Sequence, residues 1–214
     1  MRSIALIDYG SGNLRSAEKA LLKANETRGR LCEIHTTADP DVIARADGIV
    51  LPGVGAFAAC MQGVQDRPGL TEALDQAVRQ RGASFLGICV GMQLLATRGK
   101  EFGETAGLDW IGGEVRRLEP AGHAFKIPHM GWNALEDVAD HPIFAGIEPG
   151  AHMYFTHSFA FYPDEAGDIA ATTDHGGRFP VAVARDNLAG VQFHPEKSQA
   201  AGLKLLAAFL EWRP

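Results

Sequence analysis

Phe85-Leu86-Gly87-Ile88-Cys89-Val90-Gly91-Met92-Gln93-Leu94-Leu95 is an apolar stretch that breaks on glycine at a cysteine and resumes with helical spacing. Its first half reads as a buried strand, its second as a helix. Glycines on either side of Cys89 let the chain turn sharply between the two, as in Gly-x-Ser-x-Gly hydrolases but with sulfur in place of oxygen. Cys89 is then held out of the turn, at a helix N-terminus where unpaired N–H groups and the macrodipole favour thiolate over thiol. The simpler alternative is a buried cysteine filling core space, which is what most free cysteines are.

Outward from this stretch, strands are expected at 3–7, 31–35, 47–51 and 83–88. Helical patterns separate them, such as Leu14, Ala17, Leu21, Leu22 and Leu70, Ala73, Leu74, Ala77, Val78. Strands alternating with helices imply crossovers, hence an α/β fold built on an open, mostly parallel twisted sheet flanked by helices. Between about 111 and 193 the runs become strand-like and turn-punctuated, which predicts antiparallel strand additions to that sheet. A last helix carrying Leu203, Leu206, Ala207 and Leu210 should pack back on the core.

The chain has 214 residues, 46% of them hydrophobic, enough for a full core in a single domain spanning 1–214. A formal net charge of −6 offers no basic footprint for nucleic acid, and no apolar run reaches membrane-spanning length. Met1-Arg2-Ser3-Ile4-Ala5-Leu6-Ile7-Asp8 reads as a first strand rather than a signal peptide. Three cysteines without Cys-x-x-Cys fit a reducing, cytoplasmic compartment, with Cys32 and Cys60 as core or surface thiols.

A nucleophilic cysteine needs a base, and Gln192-Phe193-His194-Pro195-Glu196-Lys197-Ser198 supplies one. In extended chain, residues two apart share a face, so His194 and Glu196 should lie side by side at a strand end. A carboxylate there fixes the imidazole tautomer and stabilises the imidazolium formed when sulfur loses its proton. Cys89, His194 and Glu196 thus form a candidate Cys-His-Glu triad. His-x-Glu also occurs in zinc deaminases, but the Pro-Cys-x-x-Cys of that signature is missing. His35, His123, His129, His141, His152, His157 and His175 show no metal-ligand spacing and are expected at the surface or as satisfied core residues. No metal or cofactor is expected.

Four further segments could carry chemistry. Pro52-Gly53-Val54-Gly55-Ala56-Phe57 follows the third strand, and its glycines would let backbone N–H groups reach a substrate oxygen as an oxyanion hole; otherwise it is an ordinary turn. Asp8-Tyr9-Gly10-Ser11-Gly12-Asn13-Leu14 joins the first strand and helix, with Ser11 or Asn13 as a possible cap and the loop at the ligand-gathering end of the sheet. Neither is a phosphate loop or a dinucleotide fingerprint. Pro128-His129-Met130-Gly131-Trp132-Asn133 and Tyr154-Phe155-Thr156-His157-Ser158-Phe159 concentrate aromatics, for core packing or, if Trp132 is exposed, for an interface.

Together these segments resemble the class I glutamine amidotransferases, in which a Gly-x-Cys-x-Gly elbow and a His-Pro-Glu segment supply the triad. The likeness covers essentially the whole chain, and Pro128–Asn133 is most specific to the glutaminase subunits of imidazole glycerol phosphate synthases. Small departures are Val90 for a usual Leu, Thr156 for Val, and Phe159 where Tyr is common. The resemblance implies glutamine hydrolysis to glutamate and ammonia. It places Cys89 as nucleophile, His194 as acid and base, and Glu196 as its orienter. Backbone at Gly53, Val54 and Val90 would form the oxyanion hole, and Gly55, Gln93, Glu101, Ser158 and Phe159 the L-glutamine site. It further implies a heterodimer with a (βα)₈-barrel cyclase subunit, docked through Asn13, His129, Met130, Trp132, Tyr154 and Lys197. Two other readings stay open: another ammonia-donating glutaminase of the pyridoxal phosphate synthase type, and a non-enzymatic redox-sensing or interaction protein using Cys89 as an oxidisable thiol.

Overall fold

The structure, a computed structural model, describes residues 1–122 and 125–214; His123 lies outside the described residues. The first half contains β1 (Arg2–Ile7), α1 (Leu14–Thr27), β2 (Cys32–Thr37), α2 (Pro40–Arg45), β3 (Gly48–Gly53), α3 (Phe57–Gln65), α4 (Leu70–Asp75), β4 (Ser84–Cys89) and α5 (Val90–Gln93). All residues of β3 and β4 are buried, the pattern of parallel strands covered on both faces. Local signals agree with the elements: Pro40 opens α2 while the Asp39 carboxylate accepts from the Asp41 N–H at 2.9 Å.

The second half contains β5 (Arg98–Gly99), β6 (Thr105–Ala106), β7 (Gly113–Arg117), β8 (His129–Ala134), β9 (His152–His157), β10 (Phe159–Pro163), β11 (Ile169–Asp174), β12 (Arg178–Arg185), β13 (Leu188–Val191) and α6 (Gln199–Glu211). The main sheet has seven strands in the order β11-β12-β13-β4-β3-β1-β2. From β2 to β13 neighbours run parallel, and β12 and β11 extend that edge antiparallel. The expected additions are therefore present, but not all later strands join them. β10, β7, β5 and β6 form a separate four-stranded sheet, and β8 and β9 a two-stranded one. Strand-like patterning registers burial on one face, not which edge a strand will find.

Other expectations need adjustment. Leu22 points out of α1 at 44% exposure, and the buried stripe there is Ala17, Ala20, Leu21 and Ala24. Neither Ser11 nor Asn13 caps α1 with its side chain; the Asn13 carbonyl accepts from the N–H groups of Ser16 and Ala17 instead. The stripe from Leu70 to Val78 is buried as expected, carried by α4 and a π-type turn over Gln76–Gln80. In α6, Leu206, Ala207 and Leu210 are buried.

Register decides what meets at the carboxyl end of the sheet. Gly53 of β3 pairs with Cys89 of β4, and Val191 of β13 pairs with Ile88. The loops leaving β3, β4 and β13 therefore converge at one point, where open α/β sheets place their ligands.

Candidate active site

Cys89 holds φ 55° and ψ −113°, a backbone conformation that non-glycine residues rarely adopt and that persists only when surroundings impose it. Close packing of the elbow against β3 imposes it, and the flanking glycines permit that packing. A Cβ on Gly87 would enter the Gly91 carbonyl group, and one on Gly91 would enter the Leu51 carbonyl oxygen of β3. Any side chain at either position forces the elbow away from the sheet. The following α5 is a single turn of four residues, so the macrodipole reading shrinks to the few N–H groups of that turn, Val90 among them. Cys32 is buried away from the cleft, and Cys60 is buried beneath the β3 loop, where its thiol donates to the Val54 carbonyl at 3.4 Å and lies 3.3 Å from Ser11 Oγ.

His194 Nδ1 lies 2.8 Å from Glu196 Oε1, and both side chains are buried. The pairing expected from the sequence is present, but its cause differs. β13 ends at Val191, and His194 leads into a 3₁₀ turn over Pro195–Lys197. The turn, not strand alternation, brings the two together. Burial alone would lower the His194 imidazole; hydrogen bonding and charge from Cys89 and Glu196 outweigh it and lift the ring to about 9. The base is thus held by the two groups that the chemistry requires of it.

An open cleft of about 490 Å³ lies over Cys89, lined in part by Val54, Gly55, Val90, Gln93, Glu101, Ser158 and Phe159. Gln93 is buried, and its Nε2 donates to the Phe159 carbonyl at 3.0 Å and to Gln192 Oε1 at 2.9 Å. Both amide hydrogens are spent, so only its carbonyl remains for a ligand. Glu101 Oε2 accepts from the Phe57 N–H at 2.8 Å, at the start of α3. Gly53 itself lies beneath the cleft floor: a Cβ there would stand 2.8 Å from the Gly91 nitrogen. The Val54 N–H does not face the cleft freely. It donates to Ser11 Oγ at 3.3 Å, while the Ser11 hydroxyl donates back to the Val54 carbonyl at 2.9 Å.

The family described as "Glutamine amidotransferase class-I" matches residues 5–211. The chain belongs to that family. It is 62% identical over 214 residues to imidazole glycerol phosphate synthase subunit HisH of Caulobacter vibrioides, covering all of both chains. It is 55% identical over 212 residues to the subunit of that name from Rhodospirillum rubrum, covering 99% of each. Solved structures share the fold at low identity. One described as a glutamine amidotransferase has TM-score 0.69 and 18% identity over 97% of each chain. One described as a putative GMP synthase subunit from Thermoplasma acidophilum has TM-score 0.65 and 18% identity over 99% of this chain and 93% of that one.

In this class-I glutamine amidotransferase, two residues near Cys89 are not singled out by sequence reasoning. Gln192 is fully buried and its Nε2 points at Cys89 Sγ, 3.6 Å away. Its signal was a lone amide in the apolar run Val191-Gln192-Phe193, two residues before His194. For Ser11 the sequence offers a helix cap in a loop at the ligand-gathering end of the sheet, but not its partnership with Val54, which spans 43 residues.

Of the residues expected at a partner surface, Met130 and Trp132 are exposed at 63% and 47%, and Asn13 and Lys197 are exposed as well. Trp132 packs edge-on against Tyr154 at 5.9 Å, and Lys197 Nζ lies 5.8 Å from the Tyr154 ring centre. His129 does not belong with them. Alternation along β8 sends Met130 and Trp132 outward and turns His129 inward, where it is 3% exposed. The aromatic surface touches His194 through backbone: its N–H donates to the Tyr154 carbonyl at 2.9 Å. The Tyr154 N–H donates to Ser198 Oγ at 3.0 Å, whose hydroxyl donates to the His194 carbonyl at 2.7 Å. Among the described residues no group of three His, Cys, Asp or Glu side chains is arranged to hold a metal ion, and no helix is long and apolar enough to cross a membrane.

Proposed function

We propose that this chain, read as one domain over 1–214, is the glutaminase subunit of an imidazole glycerol phosphate synthase and works in the cytoplasm in histidine biosynthesis. The observation that carries the reading is Cys89 held at a strained elbow under an open cleft, with His194 buried against Glu196 at 2.8 Å. Full-length identity of 62% to a subunit of that name supports the assignment over other glutaminases. Buried His194 and Glu196 at the elbow favour nucleophilic catalysis over redox sensing, which would leave both idle.

His194 already holds the proton given up by the Cys89 thiol, and Cys89 Sγ attacks the side-chain carbonyl carbon of L-glutamine. The tetrahedral oxyanion is held by N–H groups of Val90 and, once released from Ser11, Val54. Collapse breaks the C–N bond, His194 protonates the leaving nitrogen, and ammonia departs from a γ-glutamyl thioester. Water, deprotonated by His194, opens the thioester to glutamate and restores the thiol. Gly55, Gln93, Glu101, Ser158 and Phe159 are assigned to the substrate; Phe159 makes its contacts with Gln93 and His157 through its carbonyl, so the missing tyrosine hydroxyl removes none of them.

Ammonia released to water at neutral pH is mostly protonated and unreactive, so it must pass directly to an acceptor. The acceptor is a (βα)₈-barrel cyclase subunit that converts a phosphoribulosyl-formimino ribonucleotide to imidazole glycerol phosphate and aminoimidazole carboxamide ribonucleotide. Asn13, Met130, Trp132, Tyr154 and Lys197 form its docking surface. The test is glutamate release by the purified chain, alone and with that cyclase and its nucleotide. Nucleotide-stimulated release is expected; no release under any of these conditions would reject the assignment.

A further inference from the structure

Two buried histidines beside the cleft have no part in the chemistry above. His157 ends β9 and lines the cleft, and His129 stands opposite it in register across the hairpin. His157 Nδ1 lies 2.8 Å from the Phe159 carbonyl oxygen, which can only accept, so Nδ1 carries the hydrogen. In a neutral ring Nε2 is then an acceptor, and it faces His129 Nδ1 at 3.0 Å. His129 must therefore donate from Nδ1 and accept at Nε2. The atom beside that Nε2, at 3.2 Å, is the Asn133 amide nitrogen, a donor. Three separate contacts thus agree on one pair of tautomers.

Burial depresses both rings, His157 to about 3 and His129 to about 4, the latter with help from His175, whose ring lies 4.2 Å away. Both are neutral at physiological pH, as the contacts require. A charged His157 would set two donors against each other at 3.0 Å. At one end of the chain of bonds, Asn133 also donates to the Asp174 carbonyl at 2.8 Å. At the other, the Phe159 carbonyl also accepts from Gln93 at 3.0 Å. Apolar rings of similar size would fill this space without the desolvation cost of two imidazoles; what the imidazoles add is direction.

We infer that His129 and His157 are positioning residues for the glutamine pocket, forming a one-way hydrogen-bond chain that fixes the Phe159 carbonyl and ties that wall of the cleft to β8. The inference rests on reading the cleft as the glutamine site. Its experiment uses the whole chain with the cyclase and its nucleotide. His129→Leu removes the donor to His157, whereas His129→Asn keeps an amide N–H where Nδ1 stood. The leucine variant should raise KM for glutamine about tenfold, the loss of roughly one hydrogen bond, with kcat changed less than about threefold. His129→Asn should restore most of it, and synthesis from added ammonium salts should stay at the wild-type level. A wild-type KM in His129→Leu, or equal collapse of kcat and KM in both variants, would overturn the proposal. Nitrogen-15 spectra of the wild-type imidazoles decide even if the variants do not fold. Neutral rings protonated at Nδ1 are expected for both; protonation at Nε2 or a charged ring on either excludes the chain. Failure of the wild-type complex to release glutamate would instead remove the glutamine reading, leaving the spectra to judge the tautomers.

Discussion

The two sides of the cleft are built to different standards. On the side of β4 and β13, Cys89, Gln192 and His194 are all under 5% exposed, the elbow glycines permit no side chain, and the base is already paired. On the side of β3, Val54 is 42% exposed, and its N–H is held by a serine hydroxyl rather than offered to substrate. On the proposed mechanism the groups that act in every turnover are fixed by packing, which makes theirs the rigid side, and the Val54 N–H, whose release would admit the oxyanion, is held by exchangeable hydrogen bonds.

The largest effects should come from breaking the rigid side. Cys89→Ala should lower glutamine-dependent synthesis by at least about 10³-fold while the complex still uses ammonium salts at alkaline pH, since only the ammonia source is lost. Glutamate release retained by that variant would end the reading of Cys89 as nucleophile. His194→Ala should approach the same loss. Glu196→Gln should lose less, roughly 10–10³-fold, because an amide still orients the ring but no longer supports its charge.

The same pair makes a signed pH prediction. His194 titrates at about 9 in the folded chain, above the ordinary 6.5, so its charged form stabilises the fold. That contribution is complete below about pH 6.5 and disappears as pH rises through about 9, on the order of 1–3 kcal/mol for a ring this buried. Glu196→Gln should lower the His194 titration seen by NMR and flatten the stability difference between those pH values. An unmoved titration would mean that Glu196 does not support the imidazolium.

The rigid side was largely legible in the sequence because its signals are local. Gly87, Cys89 and Gly91 lie within five residues, and His194 and Glu196 within three. Of the parallel strands in the first half, β1, β3 and β4 carry near-continuous apolar runs, and β2 does not. What stayed hidden depends on distance along the chain. Ser11 meets Val54 across 43 residues and His129 meets His157 across 28. The partition of later strands into a sheet extension and two small sheets likewise depends on edges that the strands' own patterns do not record. The resemblance implies His129 at the partner surface, and its residue type alone leaves surface or core open; alternation in β8 turns it inward.

A smaller effect should separate docking from chemistry. Trp132→Ala and Lys197→Ala each remove a group packed on Tyr154 without touching the cleft lining. Each should weaken cyclase binding or activation by roughly 3–30-fold, the range of rim and hot-spot side chains. The lone variant chains should match the lone wild type in any residual glutamate release. Titrating activation against cyclase concentration distinguishes lost affinity from lost stimulation, and full activation of the double variant would place the docking surface elsewhere.

The smallest expected change tests the Val54 side itself. Ser11→Ala deletes the hydroxyl that accepts from the Val54 N–H and donates to the Val54 carbonyl. Exposed hydrogen bonds of this kind are worth about 0.5–1.5 kcal/mol, so their loss should raise the population of chains with a free Val54 N–H roughly two- to tenfold. Glutamate release by the unpartnered chain should rise by the same factor, and the nucleotide-stimulated rate of the complex should barely change, because there the peptide is already released. The stimulation factor therefore falls from below rather than from above. Measuring both rates in one series checks the sign as well as the size. A Ser11→Ala chain with unchanged basal release would show that the serine contacts do not hold the loop. A chain with reduced stimulated release would show that Ser11 serves the active arrangement rather than the resting one.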